Sequence, residues 1–119
     1  MRLMILIWML AFLPAPAEAL RVNAKDFEYA CEYVRVFHGG ECKDLPPPKV
    51  KHFKYEHPYY VLRGVYILGK TEYVYVNEMY KGKALAREVA FHESIHYILD
   101  WTDTRVTKCH SEEIARQVS

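Results

Sequence analysis

ALAREVAFHESIHYILD, residues 84–100, is the stretch whose reading decides the fold. At helical spacing Ala84, Leu85, Val89, His92, His96 and Leu99 line one side, and Ala86, Ala90, Phe91, Ile95 and Ile98 fill the adjoining positions. A helix that is apolar over so much of its circumference is buried. Gly82 stands before it, Arg87 and Glu88 mark an early wetter side, and Trp101-Thr102-Asp103-Thr104 ends it. The rest of the domain must therefore wrap this helix.

Upstream, two runs rich in β-branched and aromatic residues, Tyr59–Leu68 and Thr71–Val76, flank Gly69-Lys70 and read as a hairpin. Val50–Tyr55 reads as an edge strand kept soluble by Lys49, Lys51 and Lys54. Pro46-Pro47-Pro48 before it is a stiff extended linker. Further back, Asn23 is a helix N-cap with Asp26 in the reciprocal box position. Phe27, Ala30, Cys31, Val34 and Phe37 then give a helical stripe from Ala24 to about Phe37, stopped by Gly39-Gly40. Downstream, Ser111 reads as the N-cap of a short last helix, Glu112–Val118. The expected class is α+β: a small antiparallel sheet packed on an N-terminal helix, a buried central helix and a short C-terminal helix.

Residues 1–19 have the three parts of a secretory signal: Met1-Arg2, the apolar run Leu3–Leu13, and Ala17-Glu18-Ala19 after two prolines. Cleavage is expected after Ala19, giving a secreted or periplasmic domain of residues 20–119. The run is shorter than the roughly 20 residues of a spanning helix, so membrane contact is expected only through an uncleaved signal segment. Export makes a disulfide plausible among Cys31, Cys42 and Cys109. Cys31–Cys42 is the most local pairing, and Cys42–Cys109 would tie the two ends together. A net charge of +1 with interspersed signs, and no Lys/Arg block, argue against a nucleic-acid partner.

His92-Glu93-Ser94-Ile95-His96 carries the chemistry. Four residues apart on a helix, the two imidazoles share one face and reach one tetrahedral ion. Glu93 projects beside that ion and takes a proton from the water it activates. Two histidines and a glutamate on an apolar helix would be costly without a partner. Asp100, one turn beyond His96, is the expected acceptor for its other ring nitrogen.

The pattern resembles the zincin metallopeptidases. It departs from the metzincin branch, because Leu99 and Thr102 stand where that branch has Gly and His, and Asp103 is one residue late for the Asp variant. Lys108–Arg116 is similar to the ligand segment of the gluzincin branch, in which a Glu on a second helix completes the site. The resemblance spans roughly Tyr59 to Val118, and the chain is close to minigluzincin size. It implies one Zn2+ held by His92, His96 and Glu112, with Glu93 as general base and a peptide or protein as substrate. On a helical wheel Glu112 flanks the side formed by Ile114, Ala115 and Val118, whereas Glu113 lies on the wetter side with Arg116 and Gln117. Glu113 and His110 are the alternative third ligands, and Cys109 is a further thiol able to ligate zinc. The resemblance also implies that one of the hairpin strands lies at the sheet edge over the site and pairs with extended substrate. Two other functions fit the same residues: an exported domain with a structural, non-catalytic zinc, or a metal-free interaction domain held by a disulfide.

Overall fold

The computed structural model describes residues 20–104, 112, 113, 115 and 116. The expected leader, Cys109, His110 and Ser111 lie outside the described residues. Helix α1 spans Ala24–His38. The Asn23 side chain accepts from the Lys25 and Asp26 amides at 3.0 and 3.3 Å, satisfying donors that an α-helix leaves open at its start. Gly39 ends the helix at φ 77°, the left-handed conformation that favours glycine. Phe27, Ala30 and Val34 form its buried stripe. Cys31 and Cys42 are joined in a disulfide that ties α1 to the segment leaving it.

Three strands follow: β1 (Lys49–Phe53), β2 (Gly64–Tyr66) and β3 (Tyr73–Asn77). Their order is β1-β3-β2. β2 and β3 form the expected antiparallel hairpin, and β1 runs parallel to β3, so the sheet is mixed. The hairpin places β3 in the middle, buried on one face by Val74 and Val76. On the other face Tyr73 and Tyr75 line up, with Lys51 Nζ 4.1 Å from the Tyr73 ring centroid. The outer edge of β1 is partly covered by residues 20–22: Val50 N–H donates to Leu20 O at 2.6 Å and Val22 N–H to Pro48 O at 3.0 Å.

The strand expected from Tyr59 to Leu68 is much shorter. Residues 54–63 form a loop instead. Asn77, 2 % exposed, explains why. Its Nδ2 donates to Tyr55 O and Leu62 O, at 3.3 and 2.9 Å, drawing the two feet of the loop together. Pro58 within it has no amide to give a ladder.

Helix α2 spans Ala84–Trp101, after a short 3₁₀ turn at Glu78–Tyr80. Ile95 and Ile98 are fully buried between α1 and the sheet, as the apolar circumference requires. Asp26, expected in a capping box, instead takes two hydrogen bonds from Arg87, at 2.8 and 2.9 Å, clamping the starts of α1 and α2. At the far end Tyr97 Oη donates to Pro46 O at 2.7 Å and Trp101 Nε1 to Thr71 O at 2.9 Å. Among the described residues no helix is long and apolar enough to cross a membrane. Glu112, Glu113, Ala115 and Arg116 are helical, and Ala115 is fully buried in the core.

Candidate metal centre

His92 and His96 fall on consecutive turns of α2, with ring centroids 5.3 Å apart. The neighbouring face, Val89 and Glu93, turns toward β2. Glu112 comes from the C-terminal helical segment, whose Ala115 is anchored in the core one turn later. His92 Nε2 lies 3.3 Å from Glu112 Oε2, and His96 Nε2 lies 2.9 Å from Glu112 Oε1. One ligand atom from each of the three residues falls within 4.8 Å of the others, so the group can hold a metal ion. Glu113 is exposed and stands outside this group.

Burial holds the His96 imidazole below its ordinary pKa, and the charge of His92 adds to this, against the pull of Glu112. The neutral ring is the form that ligates a metal. Glu93 is buried, and no hydrogen-bond partner for its carboxylate occurs among the described residues. Burial, and then the negative charge of Glu112, push it up to about 8. A cation between His92, His96 and Glu112 would act in the opposite direction.

Backbone from β2 walls the site. A Cβ added at Gly64 would meet Val89 Cγ1 at 2.6 Å and Glu93 Cγ at 2.9 Å, so the bare glycine lets the strand lie directly on the helix at Glu93. Among the described residues the sheet edge at this point is open. Asn77 N–H donates to Arg63 O at 2.8 Å, which makes Arg63–Asn77 a hydrogen-bonded pair and Val65–Tyr75 the next one. The alternation then turns the N–H and C=O of Gly64 and Tyr66 away from β3. Among the described residues β2 is therefore the strand with free main-chain groups beside Glu93. β3, the other candidate, is paired on both sides.

No family model, no curated protein and no solved structure matches this chain.

Asp100, expected beside His96, is given to the hairpin instead. Its Oδ2 accepts from Tyr66 Oη at 2.6 Å and from the Gly69 and Lys70 amides at 3.1 and 2.8 Å. Partial burial raises its carboxyl, but the Tyr66 hydroxyl and the two amides outweigh this and hold it below the usual value. Tyr66 is in turn raised, by burial first and by Asp100 second. Two site-forming residues escaped the sequence reading. Gly64 had a signal, an isolated glycine inside a strand-like run. Asn77 had none, because its role depends on carbonyls that only the folded loop brings to it.

Proposed function

We propose that this chain is a zinc-dependent peptidase of gluzincin type, acting on peptide or protein substrates outside the cytoplasm. The observation that carries the reading is the meeting of His92, His96 and Glu112 beside a buried Glu93. Two imidazole nitrogens and a carboxylate oxygen suit zinc. Ligand atoms bound at ~2.0–2.2 Å on a tetrahedral ion stand roughly 3.3–3.5 Å apart. One ligand atom from each of the three residues lies within 4.8 Å of the others, so the side chains would close somewhat to reach that spacing.

When bound, zinc supplies a Lewis acid that polarises a carbonyl and makes water a nucleophile near neutral pH. The protein residues supply the rest. His92 and His96 would each offer an imidazole nitrogen, and Glu112 would bring the one negative charge to the ligand set. Glu93 stands one residue from His92 on a different face, so it holds a carboxylate beside the ion without ligating it. That carboxylate accepts the proton of the attacking water and returns it to the leaving amine. The outward N–H and C=O of Gly64 hold an extended peptide by strand addition, fixing the scissile bond alongside Glu93.

Zinc content and peptide hydrolysis of the wild type, His96→Ala and Glu93→Gln test this together. The reading expects about one zinc in the wild type and in Glu93→Gln, much less in His96→Ala, and hydrolysis only in the wild type. A wild type with no zinc overturns it. Zinc that survives in an inert wild type, with unfolding on chelation and no effect of Glu93→Gln, marks a structural site instead.

A further inference from the structure

The loop at residues 54–63 is unlike the rest of the surface. Residues 56–63 are all exposed, and four consecutive apolar side chains stand in water: Tyr59 at 89 %, Tyr60 and Val61 at 54 %, and Leu62 at 36 %. Soluble surfaces scatter such residues singly, and an exposed run of four calls for a partner. The loop is not floppy at its base, because Asn77 pins both feet and the His57 ring stacks on Tyr60 at 4.1 Å. It is a formed projection. Lys54 and Arg63, both exposed, stand at its two ends, and exposed Lys51 follows on β1. Residues 49–63 hold four Lys/Arg against the single acid Glu56, and with Lys49 paired to Glu72 at 3.4 Å the remaining three are Lys51, Lys54 and Arg63, whereas the whole chain carries only +1.

We propose that this loop docks the domain on an anionic lipid surface, with Tyr59–Leu62 entering the headgroup layer and Lys54, Arg63 and Lys51 meeting lipid phosphates. This adds a second route to a membrane beside an uncleaved leader, and it does not rest on the peptidase reading. The chemistry favours lipid over a polyanion in water. Tyrosine, with an apolar ring and a polar hydroxyl, suits the interface. Exposed Val61 and Leu62 gain nothing from a hydrated polyanion and gain from an apolar medium. The basic residues add the attraction to acidic headgroups.

The test uses protein recovered after export and vesicles of phosphatidylcholine, alone or mixed with phosphatidylglycerol. Binding is expected on the mixed vesicles and to weaken with salt. Removing two of the basic residues should weaken it about twenty-five-fold, at roughly fivefold per charge, so Lys54→Glu with Arg63→Glu should lose at least that. Tyr59→Ser with Val61→Ser should weaken it about tenfold or more, with an unchanged thermal melt because the side chains are exposed. Amide exchange gives a local readout, and amides of residues 56–63 should slow when mixed vesicles are added. Equal binding to both vesicle types, variants that bind like the wild type, or unchanged exchange in the loop overturns the proposal. So does a soluble peptide that slows the same amides where vesicles do not.

Discussion

Gly64 lies against Glu93 so closely that a single added methyl group would come within 2.9 Å of the Glu93 Cγ. The same methyl would meet the Tyr75 carbonyl oxygen at 3.0 Å, and backbone cannot swing aside as a flexible side chain can. Gly64→Ala is therefore expected to push β2 off α2. Overpacking of this kind costs about 1–3 kcal/mol, readable in a urea unfolding curve. If the chain is the zinc peptidase proposed above, its metal-holding residues come from α2 and the C-terminal segment, so zinc content should persist while hydrolysis falls at least about tenfold. A variant as active as the wild type would show that the contact does not position Glu93.

Glu93 should make the metal-stripped protein sensitive to alkali. Its folded-state pKa is raised to about 8, above the roughly 4.3 of an unfolded glutamate. Its contribution to stability is then complete below that lower value and is lost as pH rises through the folded one. The melting temperature of chelator-treated wild type should fall between pH 5 and pH 8, and Glu93→Gln should remove that slope. Parallel curves for the two proteins would refute the assignment.

Asp100 predicts the opposite sense. Hydrogen bonds from Tyr66 and the turn amides hold its carboxyl low, so its stabilisation is present above about 3.9 and is lost as pH falls through the folded value. Asp100→Asn should cost about 1 kcal/mol at neutral pH, a modest figure because the group is only partly buried. It should also flatten the acid limb of the stability curve. An unchanged acid limb would show that the hairpin latch contributes little.

Asn77→Ala removes the donor that holds Tyr55 O and Leu62 O together. The loss is expected at about 2–3 kcal/mol, with faster amide exchange throughout residues 54–63 and little change in α1. The disulfide gives a separate measure at the other end of the domain. Cys31 and Cys42 are 11 residues apart, and replacing both by serine should cost about 2–3 kcal/mol through the freed unfolded chain. Reversible melts under identical metal loading would read both.

The helices were the most legible part of the sequence because their signals are local. Asn23, the stripe through Phe27, Ala30 and Val34, and Gly39 define α1 within a single stretch of chain. The long apolar circumference of residues 84–100 likewise defines α2. The sheet was less legible. Nothing in Val50–Tyr55 shows that it runs parallel to β3, because that choice depends on where β2 docks. The length of β2 was hidden for a similar reason, since Asn77, distant in the chain, holds the Tyr55 and Leu62 carbonyls together and closes residues 54–63 into a loop. At the candidate metal centre, His92 and His96 were legible from their spacing. Asp100 misled because the wheel that sets it one turn from His96 says nothing of the hairpin waiting on its other side.

The strand order also sets a timetable. β2 and β3 are neighbours along the chain and can zip at once, whereas Lys49 meets Tyr73 only after everything between them has been arranged. β1 is thus the late arrival, although it is made first as the polypeptide emerges. During that interval its edge stands bare, and Lys49, Lys51 and Lys54 repel a second copy that would otherwise pair with it. Two of them, Lys49 and Lys51, would thus guard the newborn chain before they come to lie over the Tyr73 ring in the finished one.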